Sequence, residues 1–501
     1  MSEWANPAVV VRETHSGVVV LVGERAWKAK KPVSTGFCDF STPGRREEAL
    51  SRELSLNRRL APDVYLGLAH VSDPAGGPAE PLLVMRRMPE DRRLATLAAA
   101  HAPLDGVISA LAELLARFHA GARRGPDVDR EGRAAAVRER WRGNVDRARG
   151  WSEGVLDAAT LDRVDALAGA YLEGRGPLLD ARIAAGDVLD GHADLLADDV
   201  FCLPDGPRVL DCLDFDDRLR FVDRLDDVAF LAMDLEQLGR VDLAEELHRS
   251  YDAAWASRGD GTASSLPTPA LAPISLWHHY VAYRAFVRAQ VECLQHVQGH
   301  HGAAERAQRY AGLTLDHLER SAVRLVLVGG LPGTGKTTVA TGLADAVGAV
   351  VVSSDEVRRE LLASGTVTGE AGVLDAGRYS PESTARVRED VLRRAGDLLT
   401  HGVSVVLDAS WIDAGERADA AALGRRTCAL LVELRTTAPA PLALRRTTSP
   451  RPGASEVTPA IAVVMGRRAD PWPSACELDT SGTPGAAVGA AVREWTAAAR
   501  G

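Results

Sequence analysis

The chain has 501 residues and a formal charge of −10 at pH 7, with 46% apolar and 26% charged residues. This is the balance of an ordinary globular protein, which excludes a disordered or collagen-like chain, and no apolar run approaches the roughly 18 residues of a membrane-spanning helix. The acidic balance also disfavours nonspecific binding to a nucleic-acid backbone, while leaving room for a local basic groove.

The opening stretch, MSEWANPAVVVRETH, lacks the basic start and long apolar core of a signal peptide. Six cysteines (Cys38, Cys202, Cys212, Cys293, Cys428 and Cys476) occur without a CxxC pair. Together these predict a cytoplasmic protein with free thiols and no zinc site. Only four of the 59 basic residues are lysine: Lys28, Lys30, Lys31 and Lys336. In a chain that otherwise uses arginine, a lysine marks a candidate place for a compact ammonium on a slim stem.

In chain order, residues 18–22 and 26–30 read as strands joined by a Gly23-Glu24-Arg25 turn. Residues 45–60 have helical spacing and end before Pro62, and 82–85 read as another strand. From 104 to 182 the pattern is helical, and strand-like segments return at 200–203 and 209–213. Residues 221–320 are again helical apart from a Gly/Ser/Pro-rich break at 258–273. At Val323 the pattern changes. RLVLVG at 324–329 is a buried strand, and further strands at 351–355, 403–408, 430–435 and 476–480 alternate with helices, which predicts a parallel sheet. Three units are expected: 1–95, 96–320 and 321–501.

Two acidic segments stand out in the first 320 residues. DVLDGHADLLADD (187–199) carries His192, Asp194 and Asp199; twelve residues on, Asp211 ends the segment VLD, and Asp226-Asp227 open a helix. These residues resemble the catalytic loop of aminoglycoside phosphotransferases, a branch of the protein-kinase-like fold with the pattern H-G-D-x-x-x-x-N. The resemblance implies that Asp194 is the base for an acceptor hydroxyl, that Asp199 and Asp211 hold metal, and that His119 and His192 are structural. It also implies a strand lysine paired with a helix glutamate to grip the α/β-phosphates. Lys28 and Lys30 share one strand face, with Lys28 slightly favoured, and Glu53 is the candidate partner. Ala193 replaces the glycine of the pattern, Asp199 replaces its asparagine, and no G-x-G-x-x-G precedes the lysine strand. A non-catalytic half therefore stays open.

Gly330-Leu331-Pro332-Gly333-Thr334-Gly335-Lys336-Thr337 fits G-x-x-x-x-G-K-[ST] and follows a strand. Its glycines let backbone N–H groups curl around a phosphate, with the positive end of the next helix facing it. Lys336 then reaches the β/γ-phosphates, and Thr337, followed by Thr338, binds Mg²⁺. Asp408 ends an apolar strand, where such an acid orients the metal or its water. Asp355, at another strand end, is a candidate base, with a helix cap by Ser354 or Asp355 as the alternative. Arg445, Arg446 and Arg451 follow the fourth strand, where a lid over the nucleotide would fall. This part resembles the P-loop kinases of small molecules and polynucleotide ends: gluconate kinase, chloramphenicol phosphotransferase, zeta-toxin and polynucleotide kinase relatives.

The whole chain resembles bacterial fusions of an aminoglycoside-phosphotransferase-like domain with a P-loop kinase or AAA-type ATPase domain. That implies α/β and α+β folds, a protein-kinase-like half followed by a P-loop half, with ATP and Mg²⁺ as cofactors. The expected activity is phosphoryl transfer to a hydroxyl of a small molecule from two nucleotide sites. A nucleotide sensor with one non-catalytic half is the first alternative. A nucleic-acid end kinase is the second, which the charge of −10 disfavours.

Overall fold

Alternating apolar residues near the N-terminus build one antiparallel sheet. Its strands are β1 (Val10–Glu13), β2 (Gly17–Val22), β3 (Arg25–Lys30), β4 (Tyr65–Val71) and β5 (Glu80–Arg86), in the order β1-β2-β3-β5-β4. The computed structural model describes residues 9–13, 17–34, 39–258, 272–369, 377–448 and 459–500. Cys38, Arg451 and nearly all of the break at 258–273 lie outside the described residues.

The β2–β3 hairpin turns on two residues, not three. Gly23 takes φ 56°, and Arg25 already pairs with Val22. Strands β1 and β4 were not legible in the sequence, since every residue of β1 is exposed and β4, YLGLAHV, alternates weakly. The helix Pro43–Asn57 starts on Thr42, whose side chain accepts from the Arg45 N–H, with Pro43 in its first turn. Leu50 joins Leu21, Ala26, Tyr65, Leu83 and Met85 in a local core, which leaves Glu53 on the same helix facing β3.

The next part is mainly helical, with the long helices Val107–Gly121, Ala134–Trp151, Ala158–Gly174, Arg224–Gln237, Val241–Ala256, Ile274–Val297 and Ala303–Ser321. Two short antiparallel pairs interrupt them: β6 (Val188–Asp190) with β9 (Phe221–Asp223), and β7 (Val200–Leu203) with β8 (Gly206–Val209). The second strand expected at 209–213 thus lies earlier. Leu210 leaves the pair to donate its N–H to the Asp199 carbonyl (2.9 Å), and Asp211 takes a left-handed φ of 62°. Strand β9 also begins a stretch that spacing had made wholly helical.

The remaining strands are β10 (Arg324–Gly329), β11 (Val350–Ser353), β12 (Val405–Asp408), β13 (Leu430–Thr437) and β14 (Cys476–Asp479). They form a parallel sheet in the order β11-β12-β10-β13-β14. Every residue of the central β10 is buried, as expected for a parallel sheet covered on both faces. Strand β11 stops at Ser353 and the helix Ser354–Ala363 starts at once, so Asp355 sits in a first helical turn and not at a strand end.

One apolar cluster runs from Leu111 and Leu178 through Trp277 to Leu325, Leu399 and Leu423, so the two halves of the sequence share a core. Among the described residues, no helix is long and apolar enough to cross a membrane.

Candidate functional site

The β3 alternation places Lys28 and Lys30 on one face, and both reach Glu53. Lys28 Nζ lies 2.6 Å from Glu53 Oε1 and 3.4 Å from Asp211 Oδ1; Lys30 Nζ lies 3.0 Å from Glu53 Oε2 and 3.2 Å from Asp214 Oδ2. Glu53 is 1% exposed. Burial works against the Lys28 charge, but Glu53 and Asp211 outweigh it and hold its pKa well above the usual range. Lys28 in turn holds the Asp211 carboxyl below its ordinary value.

The loop bearing Asp194 is held by Asp227. Its carboxylate accepts the N–H groups of His192 and Ala193, both at 2.7 Å, and His119 Nε2 at 3.0 Å. Ala193 adopts φ 66°, a left-handed conformation that a glycine takes at less cost. His119 is fully buried, and His192 Nε2 meets the Leu210 carbonyl at 3.0 Å, so both histidines are engaged in holding the loop. Burial and the neighbouring Asp211 charge push Asp194 up to about 6. Asp199 is pushed well above the carboxylate range by burial, Asp211 and Asp194.

Asp194 and Asp211 are therefore driven apart, one toward the neutral form and the other toward the charged form. Such divergence is what separates proton acceptor from permanent anion in a catalytic pair. If this half transfers a phosphoryl group with the Asp194 carboxylate as base, kcat/KM should fall as pH drops through about 6, since that ratio reports the free enzyme. A pH–rate profile flat from 5 to 8 would remove Asp194 as the base, because roughly one unit either side of its pKa spans the titration.

In the C-terminal half, the phosphate loop joins β10 to the helix Lys336–Val347. Gly330, Gly333 and Gly335 all have positive φ, 139°, 81° and 88°. A Cβ at Gly333 would come within 2.3 Å of the Ala443 carbonyl, on the helix Ala440–Thr448. Lys336 Nζ donates to the Leu331 carbonyl at 3.2 Å, and the Thr337 hydroxyl donates to Asp408 Oδ2 at 2.7 Å. Burial lowers the Lys336 pKa, while Asp408 and Asp355 partly offset it. Asp408, 5% exposed, is raised by burial against the help of Thr337 and Lys336. Thr338 follows on the exposed side of the first turn.

Asp355 is not a cap. The helix cap is Ser353, whose side chain makes no capping bond, and the Asp355 carboxylate meets Arg358 Nη1 at 3.3 Å. Arg446 donates to the Thr480 hydroxyl (3.2 Å) and carbonyl (2.8 Å). Thr480 donates to the Thr334 carbonyl at 2.7 Å, so Arg446 braces the loop indirectly. Arg445 lies exposed on the same helix.

Sequence reasoning missed several supports. Thr436 bonds Thr334 Oγ1 at 2.8 Å and the Gly329 carbonyl at 2.9 Å. Arg182 grips Asp223 through two bonds of 2.8 Å, fixing the start of the helix that bears Asp227. Nothing in their local spacing marks these residues; they act through partners distant in sequence.

The donor sets suit Mg²⁺ shared with a nucleotide. Among the described residues, no three His, Cys, Asp or Glu side chains converge into a metal cluster. Mg²⁺ ordinarily takes one or two carboxylates and completes its shell with water and substrate phosphates. Burial first, and then the Asp211 and Asp194 charges, raise Asp199, and a cation bound there would relieve the repulsion. Thr337 with Asp408 presents a second such pair.

A family model described as an AAA domain matches residues 325–461. The Mycobacterium tuberculosis protein Rv2004c (strain H37Rv) is 45% identical over 492 residues, covering 98% of this chain and 96% of that one. The Mycobacterium bovis protein Mb2027c matches to the same extent. Among solved structures, a sugar kinase from Janibacter sp. is 20% identical over 34% of this chain and 93% of its own, with a TM-score of 0.27. A choline/ethanolamine kinase family protein from Mesorhizobium loti is 15% identical over 63% of this chain and 92% of its own, with a TM-score of 0.38.

Proposed function

The chain belongs to the family of the mycobacterial protein Rv2004c, and from that premise we propose that it is an ATP-dependent phosphotransferase with a nucleotide site in each half. The observation that carries this reading is that each half brings a rare lysine to carboxylates beside a candidate base. Lys28 meets Glu53 and Asp211 near Asp194; Lys336 lies near Asp408 and Asp355.

In the first half, Lys28 grips the α/β-phosphates, and Asp199 and Asp211 would hold Mg²⁺. In the second, the glycine-rich backbone and Lys336 hold the β/γ-phosphates, with Thr337 and Asp408 as the metal-side pair. Bound Mg²⁺ neutralises phosphate charge. The acceptor hydroxyl gives its proton to Asp194 or Asp355, its oxygen bonds to the γ-phosphorus, and ADP leaves with the bridging oxygen. Positioning and charge neutralisation supply most of such a reaction, and both halves offer them. The acceptor is a small molecule bearing a hydroxyl.

The test is transfer from [γ-³²P]ATP to a metabolite extract by the full chain, read by mass spectrometry. In a Lys336→Ala background, Asp211→Asn should weaken Mg²⁺-ATP binding and abolish transfer. Asp194→Asn should leave binding nearly intact and lower transfer about 10²–10⁴-fold, the usual loss for a general base. A second reading, a nucleotide sensor, is favoured by Asp199 and by the left-handed Ala193 in the loop. Under it, Asp194→Asn changes nothing while Asp211→Asn still removes the nucleotide response.

A further inference from the structure

Two of the four lysines in the chain share one buried glutamate, and their surroundings differ. Lys28 has a side chain 20% exposed and reaches across to Asp211. Lys30 is 7% exposed and is enclosed by Asp214 and by the Phe40 ring, whose centre lies 5.2 Å from Nζ. Lys28 is thus the lysine with an open side toward the metal-side aspartate.

We propose that Lys30 is a positioning residue: it keeps the buried Glu53 carboxylate paired, so that Lys28 can turn its ammonium to the phosphates of a nucleotide. The inference rests on the reading of the first half as a nucleotide site. A carboxylate that is 1% exposed cannot be left without a cation at small cost. If Lys28 were its sole partner, one ammonium would have to neutralise both the buried Glu53 carboxylate and the nucleotide phosphates. Lys30 Nζ, 3.0 Å from Glu53 Oε2 as an ion pair without a hydrogen bond, adds a second cation to the carboxylate, so less of its charge falls on Lys28. The i, i+2 spacing on β3 puts both ammoniums on the same side of the strand, where one glutamate spans them.

Calorimetric Mg²⁺-ATP binding to the full chain carrying Lys336→Ala tests this. Lys28→Met should abolish binding. Lys30→Met should weaken it about tenfold, a shift within the range of coupled neighbours. In a Glu53→Gln background the carboxylate is gone, so adding Lys30→Met should change affinity by less than about twofold. This cycle separates positioning from contact: a tenfold loss that persists beside Glu53→Gln means that Lys30 touches phosphate itself and overturns the inference. A Lys30→Met chain that melts earlier but binds as before also overturns it. Should Lys30→Met alone fail to fold, the comparison of Glu53→Gln with Glu53→Gln/Lys30→Met, in which no unpaired carboxylate remains, decides on the same criterion. Absence of any Mg²⁺-ATP binding by the Lys336→Ala chain would overturn the nucleotide-site reading and this inference with it.

Discussion

Lys336→Ala should lower the number of Mg²⁺-ATP sites on the full chain from two to one. Asp355→Asn, in contrast, should keep both sites and cut turnover at the C-terminal one by about 10²–10⁴-fold. On the proposed reading the ammonium is the principal point charge on the β/γ-phosphates, and it sits near Asp408 and Asp355. Without it, those two carboxylates face the phosphates unbalanced. The helix start carries no side-chain capping bond, and Asp355 meets Arg358 at 3.3 Å, so the amide should be accommodated without loss of the helix start. Calorimetric stoichiometry reads the first effect and acceptor-dependent transfer the second. Two sites persisting in Lys336→Ala would refute the phosphate-loop assignment. A drop in melting temperature with unchanged turnover in Asp355→Asn would remove its role as base.

The second large effect belongs to the junction of the halves. Arg175 is fully buried between the helices Ala158–Gly174 and Gly176–Ala184. Its Nη1 donates to the Thr427 carbonyl at 2.7 Å and the Gly174 carbonyl at 2.8 Å. Thr427 closes the helix Ala414–Arg426, so the guanidinium meets that helix at its negative end. Burial lowers the Arg175 pKa, and the Tyr171 ring, 5.6 Å away, helps hold its charge. Beside it, a Cβ at Gly174 would come within 2.2 Å of the Thr427 oxygen, and Ser275 donates to the Gly402 carbonyl at 2.6 Å. Arg175→Ala removes a charged donor from buried carbonyls and leaves a void, so it should cost about 2–4 kcal/mol. Hydrogen exchange should rise first at the Thr427 turn and along residues 174–184. Arg175→Met, which keeps the volume, should recover part of the loss. An unaltered melting profile for Arg175→Ala would mean that the shared apolar core alone joins the halves.

The phosphate loop was legible because each of its requirements is local: glycines at positive φ, a lysine at the helix start, a strand before. The hairpin of β2 and β3 was legible for the same reason, and its period of two correctly put Lys28 and Lys30 on one face. The boundaries of β8 and β11 were not. Past β8 apolar residues recur at Leu210, Cys212 and Leu213, and the Asp199 carbonyl taking the Leu210 N–H ends the pairing; past β11 the polar Ser354-Asp355 continue a strand-like reading that the immediate start of a helix cuts short.

Sequence by itself determined the residue types and spacings of the acidic loop and the glycine-rich loop, since short-range backbone geometry and period restrict them. Tertiary structure decided who shares a partner. It placed both lysines on Glu53, brought Arg446 to Thr480, and put Arg175 on the end of a helix about 250 residues away. Those pairings follow from close packing and from the need to satisfy buried charges, and neither leaves a trace in local spacing.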